Sequence, residues 1–435
     1  MDFQAVGKTV NTHTVTISEQ RIAEVLGRGD VETALEHLLE IGISRWSEKA
    51  MHMRAMMYMR RSRWADAEKL LKQMIAAGPN AQAFKMLGDA HYLQAHFTEA
   101  ELCYAKSITL DPLPETIHDL GVAIVSQGRV EESILHFRES SNMLPERPDF
   151  KHHLAIMLTL GGHLEEGWDM MKYRMQCAGI TSTFPEPEKY WEGEDLAGKT
   201  IILRSEQGWG DTIQFSRYLP ELQKRASKVY FWCQRQMVSF VEANYPGVIP
   251  RPNDVAPPLE FDYHVNLMCF PRRFPGLYLS PSAKPRSGSG IGICWYGSPT
   301  HKADHLRSVP IERFANIGKI AGGKLKCLGY GRFTEKPDFM EYFIDECLDW
   351  QETAEKLKEL DLVITVDTAI AHMAGFIGKE CWLLLPYVPD FRWGMSGATT
   401  PWYDSLKLYR QPRLFDWDSV FAKVEDDLRA RVSPP

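Results

Sequence analysis

The stretch Ile201-Ile-Leu-Arg-Ser-Glu-Gln-Gly-Trp-Gly-Asp-Thr-Ile-Gln-Phe-Ser-Arg-Tyr-Leu-Pro220 decides how the second half of this chain is read. It opens as an apolar run of strand length and crosses a loop holding Gly208 and Gly210. It then enters a helical pattern marked by Ile213, Tyr218 and Leu222. A strand that turns directly into a helix is the unit of an α/β sheet. Such sheets bind ligands in the crevice beyond the carboxyl ends of their strands. The two glycines let the backbone come close to a ligand there. Asp211 stands where the loop becomes the helix, so its carboxylate can point into the crevice and take a proton from a bound hydroxyl. The same position suits a helix cap, and this stretch alone leaves both roles open.

Strand-like and helix-like runs go on alternating to the C-terminus, which implies parallel sheets with crossover helices. Thr181 to Gly198 is non-periodic and reads as an extended connector. Pro281 to Gly290, rich in Pro, Ser and Gly, reads as a hinge. The expected division is therefore a linker at 181–198, a first Rossmann-like lobe at 199–285, and a second at 286–435 that ends in a C-terminal helix. The first lobe is short for its kind.

The second lobe carries its own site pattern. Val366-Asp367-Thr368-Ala369-Ile370-Ala371-His372 runs from a buried strand into a helix start. Backbone N–H groups at such a start bind phosphate. His372 lies one turn beyond Thr368, on a nearby face. The alternative is a capped helix whose histidine is bonded into the core. Upstream, Gly297 to Pro310 follows a strand and is basic. Lys302 and Arg307 there suit a diphosphate, or else belong to a solvated charged loop.

The first 180 residues repeat. Ala34, Ala67, Ala100, Ser133 and Gly167 recur at intervals of 33, 33, 33 and 34. Each is followed four residues later by a large apolar residue: Leu38, Leu71, Tyr104, Phe137 and Met171. Ala55, Gly88, Gly121 and Ala155 form a second small column, and Pro79, Pro112 and Pro145 form a proline column. Small residues let paired helices approach, the large residue fills the groove between them, and the proline ends the second helix. The period resembles that of tetratricopeptide repeats, with a degenerate half-repeat at about Ile22 to Ile43. Arrays of this kind present a concave surface to partner proteins.

Composition bounds the function. The net charge of −7 gives no basic field for nucleic acid. No apolar run reaches membrane-spanning length, and the first twenty residues lack a signal-peptide core. Eight scattered cysteines with no C-x-x-C pair suggest a reducing, cytoplasmic location. The D-x-D pattern Asp416-Trp-Asp418 lies past the other motifs, so no metal site is expected.

Taken together, Glu206-Gln-Gly-Trp-Gly-Asp211, Trp295-Tyr-Gly-Ser-Pro299, Arg307-Ser-Val-Pro310 and Asp367-Thr-Ala-Ile-Ala-His372 resemble the heptosyltransferase-like glycosyltransferases (glycosyltransferase family 9). The resemblance is specifically to bacterial forms that join tetratricopeptide repeats to such a domain. Pro386 to Trp393, Pro401 to Tyr403 and Tyr409 to Pro412 extend the resemblance. It implies an α-solenoid followed by a two-lobed GT-B domain. It also implies inverting, metal-independent transfer from a nucleotide-diphosphate-sugar, which is a substrate and not a cofactor. Asp211 would then be the general base. Lys302, Arg307 and the helix start at Asp367, Thr368 and Ala369, with His372, would face the donor. The acceptor would be a protein or glycan held by the repeats, and a homo-oligomer is compatible with this. The competing expectation is a non-catalytic repeat scaffold with a degenerate transferase domain.

Overall fold

The computed structural model describes residues 24, 48–78, 80–177, 186–257, 260–276, 288–301, 304–329 and 337–432. The half-repeat at 22–43, Lys302 and most of the 281–290 hinge lie outside them, Glu24 and residues 288–290 excepted. The chain divides into two compact units, 1–145 and 146–435.

The first unit contains helices α1 (Glu48–Arg60), α2 (Trp64–Ala77), α3 (Ala81–Leu93), α4 (Phe97–Leu110), α5 (Pro114–Ser126) and α6 (Val130–Met143). They are TPR-like pairs, and the two sequence columns explain them. A Cβ on Gly88 would lie 2.6 Å from the Tyr104 ring, and one on Gly121 would lie 3.3 Å from the Phe137 ring. The small column thus receives the large column of the next helix. Ala55, Leu71, Met74 and Leu87 continue this core, with Met51, Met56 and Met59 packed against it. Each first helix of a pair ends in a left-handed residue: Ser62, Ala95 or Gly128, and Gly162 in the pair that follows. That conformation closes the helix and starts the turn. Pro112 and Pro145 stand just beyond the ends of α4 and α6, where a proline stops a helix.

The second unit begins with the last helical pair, α7 (Pro148–Leu160) and α8 (Leu164–Met170), and the 3₁₀ turn Met171–Gln176. Two separate parallel sheets follow. The first has the order β3-β2-β1-β4, from β1 (Thr200–Arg204), β2 (Lys228–Cys233), β3 (Val248–Pro252) and β4 (Tyr263–Asn266). The connector is pinned to its edge, where Trp191 N–H donates to the His264 carbonyl at 2.9 Å. The second sheet has the order β10-β9-β8-β5-β6-β7. Its strands are β5 (Ile291–Cys294), β6 (Leu325–Cys327), β7 (Met340–Tyr342), β8 (Leu362–Val366), β9 (Cys381–Leu385) and β10 (Leu406–Arg410). The packed helices are α9 (Trp209–Phe215), α10 (Val238–Asn244), α11 (Ala315–Ala321), α12 (Trp350–Lys358), α13 (Ala369–Phe376) and α14 (Trp417–Val432). β8 and β9 are buried at every residue, as strands covered on both faces must be.

Strand order locates the crevices. β1 lies between β2 and β4, and β5 lies between β6 and β8. At these points successive connections leave to opposite sides, which opens a crevice at the strand ends. The Asp211 loop follows β1, the Gly297–Arg307 segment follows β5, and Asp367 follows β8.

Candidate functional site

Asp211 is the third residue of α9. Its Oδ2 accepts the Gly208 N–H at 2.9 Å, which reaches back over the first turn. Only this half of a capping box exists, because Gly208 has no side chain to offer. Its Oδ1 accepts from the Arg392 guanidinium, and this ion pair ties the loop after β1 to the 3₁₀ turn Phe391–Trp393. Burial raises the Asp211 carboxyl above its ordinary value, against the pull of Arg392. Cap and cleft carboxylate are therefore the same group in two contacts.

Arg392 was not among the residues singled out from the sequence. It also pairs with Asp390 at 2.9 Å, and its Nε–H is buried without a partner. The turn is held firmly. The Trp402 indole donates to the Arg392 carbonyl at 2.9 Å. The Arg410 guanidinium gathers the carbonyls of Trp393, Gly394, Ser396 and Gly397 at 2.6–3.1 Å. Arg392 falls inside the Pro386–Trp393 stretch that extends the resemblance, but nothing local gives it a role, because its partner lies 181 residues away in the chain.

Asp367 follows β8 directly. Burial, with the facing Asp390 carboxylate, pushes its carboxyl up, while Arg392 and Arg307 pull the other way. Thr368 caps α13 in extended backbone, with its hydroxyl 3.1 Å from that of Thr365. Its side chain therefore leaves the N–H groups of the first turn unbonded to it.

Three of the positions read from the sequence sit in surroundings that no local pattern records. Gly208 has φ −91, and the left-handed residue is Gln207, at φ 58. Gly210 instead serves helix contact, since a Cβ there would lie 2.8 Å from His372 Cδ2 and 3.5 Å from Ala369 Cα. His372 is an interior residue. Its Nδ1 is 3.0 Å from the Tyr403 hydroxyl and its ring stacks on Trp393. Burial and then Arg392 hold its pKa well below the usual value. Arg307 sits in the single turn Asp304–Arg307 and not on a free loop. Its Nε donates to Asp304 at 3.0 Å and its Nη1 to the Asp367 carbonyl at 2.8 Å. Gly297 lies close beside it, where a Cβ would come within 2.3 Å of Arg307 Nη2 and 2.5 Å of Asp304 Oδ1, so a larger residue would displace those side chains. Arg307 thus joins the ends of β5 and β8.

The structure brings together Asp211, Gly208, Gly210, Asp367, Ala369, His372 and Arg307, and it adds Arg392 and Asp390. Buried Arg217 closes the back of the cluster. It donates to the Gln214 and Trp402 carbonyls at 2.6 and 2.8 Å and lies over the Tyr403 ring. Among the described residues, no group of His, Cys, Asp or Glu is arranged to hold a metal ion. No described helix is long and apolar enough to cross a membrane.

The fold is thus a TPR-like helical region followed by an α/β region with two parallel sheets. No family model matches the chain. It is similar to Protein FlbA of Caulobacter vibrioides, at 22% identity over 422 residues, covering 85% of this chain and 70% of the relative. Similar solved structures over the helical region include PilF of Pseudomonas aeruginosa, with 19% identity and TM-score 0.36, covering 39% of this chain and 78% of that one. A kinesin light chain with TPR-like repeats, from Podospora anserina, gives 16% identity and TM-score 0.33, covering 38% and 95%.

Proposed function

We propose that the protein is a glycosyltransferase of GT-B arrangement, moving a sugar from a nucleotide-diphosphate-sugar to an acceptor hydroxyl with inversion. The observation that carries this reading is the Asp211–Arg392 pair. A buried carboxylate beyond β1 is held by a cation beyond β9, and that cation keeps one buried N–H unpartnered. A donor diphosphate entering at the Thr368–Ala369 helix start would satisfy that N–H and draw Arg392 away from Asp211. Burial then makes Asp211 a stronger base than a solvated carboxylate. Asp211 removes the acceptor proton as the acceptor oxygen bonds to the anomeric carbon. The bond from that carbon to the diphosphate oxygen breaks, and its electron pair leaves with the diphosphate. Arg392, Arg307 and the α13 N-terminus neutralise the charge that develops. The helical repeats bind the acceptor or a partner protein, and the enzyme works in the cytoplasm.

One observation favours a second reading, a non-catalytic scaffold. Both Asp211 oxygens are already engaged, by Gly208 and by Arg392. The test is thermal stabilisation by a panel of nucleoside diphosphates and their sugars, followed by transfer assays with Asp211→Asn. A donor that binds wild type and variant alike, with transfer lowered about 10²–10⁴-fold in the variant, supports catalysis. Binding without any transfer by wild type supports the scaffold.

A further inference from the structure

We infer that the last helical pair, α7–α8 with the turn behind it, is a positioning device for the Asp211 loop, and that Arg174 sets that loop. This rests on Asp211 being the working carboxylate. The pair groups with the α/β unit and not with the helices before it. Arg174, fully buried, forks onto Glu206, with Nε to Oε2 at 2.9 Å and Nη2 to Oε1 at 2.6 Å. Its Nη1 donates to the Met171 carbonyl at 2.8 Å, and its Nη2 lies 3.2 Å from Cys269 Sγ. Glu206 Oε1 also accepts the Met268 N–H at 2.8 Å. One carboxylate thereby joins the helical pair, the loop after β1 and the segment after β4.

The consequence is local geometry. With Glu206 drawn inward, the chain must reverse at once. It does so through Gln207, a non-glycine residue in the left-handed region, before Gly208 presents its N–H to Asp211. Such a conformation persists only where the surroundings impose it. A buried ion pair adds little stability over apolar packing of the same shape, so its contribution here is to the register of the loop. The same helical pair also reaches the other half of the site. The Trp168 ring meets Phe215, Phe391 and Trp402 edge-to-face, at 5.8–6.3 Å. Phe215 ends the Asp211 helix, and Phe391 precedes Arg392. Lysine cannot replace Arg174, because a point charge cannot serve both carboxylate oxygens in a fixed plane.

The experiment uses the full chain and needs no donor, so a failure to find transfer does not decide it. Arg174→Lys keeps both charges and removes the fork. The measurements are melting temperature and the ¹³C titration of the Asp211 carboxyl, assigned with Asp211→Asn. Arg392, Asp390, Glu206, His301 and Tyr403 surround Asp211 and are unchanged in this variant. The expected result is a folded protein whose Asp211 midpoint falls by about half a pH unit or more, because a loosened loop admits water. If Arg174→Lys does not fold, Arg174→Met combined with Glu206→Gln leaves no orphaned charge. That variant is read against wild type by backbone amide exchange at Gln207 and Gly208, which should quicken about tenfold or more as the loop is released. An unchanged Asp211 midpoint in Arg174→Lys, or unchanged exchange in the double variant, overturns the inference and leaves Arg174 a structural staple.

Discussion

Arg392 and Asp211 meet between the carboxyl ends of two separate parallel sheets, 181 residues apart in the chain and both largely buried. Arg392 is also bonded to Asp390, and Asp367 senses it through space. One guanidinium therefore offsets three carboxylates. Removing it leaves them desolvated and mutually repelling.

Arg392→Met should consequently cost about 3–5 kcal/mol, the usual penalty for breaking a buried pair from one side. Asp211→Asn in the same chain should recover part of that loss. A double-mutant cycle on chemical unfolding measures it. A coupling below about 0.5 kcal/mol would show that the two residues act independently.

Gly210→Ala should cost about 1–3 kcal/mol by overpacking, since the new methyl group meets the His372 ring and the α13 backbone. The urea midpoint should fall with an unchanged slope. An unaltered midpoint would mean that α9 and α13 can slide apart freely.

Asp367 governs a pH effect. Its folded pKa is raised, to about 6, above an unfolded value near 4. The folded state therefore binds the proton more readily, and stability falls as pH rises between those two values. Asp367→Asn removes the charge that causes this loss. It should raise the melting temperature at pH 7.5, by the equivalent of about 1–2 kcal/mol, and change little at pH 4. A gain that is larger at pH 4 than at pH 7.5 would reverse the assigned sign.

Ala95 stands in the left-handed region, where the next pair has Gly128. Ala95→Gly relieves a strain of about 1–2 kcal/mol and adds back some unfolded-chain entropy. A net stabilisation of about 0.5–1 kcal/mol is expected. A loss of stability would show that the Ala95 methyl group packs usefully in the turn.

Much of the fold was legible. Thr200–Arg204, Lys228–Cys233, Leu362–Val366 and Cys381–Leu385 stand as strands where the residue pattern places them. They are central strands with largely apolar runs, continuous in β8 and β9, which are buried at every residue. Val248–Pro252 was not legible, because it carries two prolines. It is tolerated as β3 because it lies at the sheet edge. The edge strands β7 and β10 likewise lack a continuous apolar run.

The sequence by itself determined the helical pairs and the alternation of strand and helix. It also determined the segments that follow β1, β5 and β8 and carry Asp211, Arg307 and Asp367. These follow from local periodicity and from residues whose backbone limits are intrinsic. Only the tertiary structure decided what those loops meet. It placed Arg392 on Asp211 and Arg174 on Glu206, and it put His372 in the interior against Gly210. Side chains far apart in the chain become neighbours only when parallel strands stack in a particular order. That order is set by burial over the whole unit, and no short stretch of residues records it.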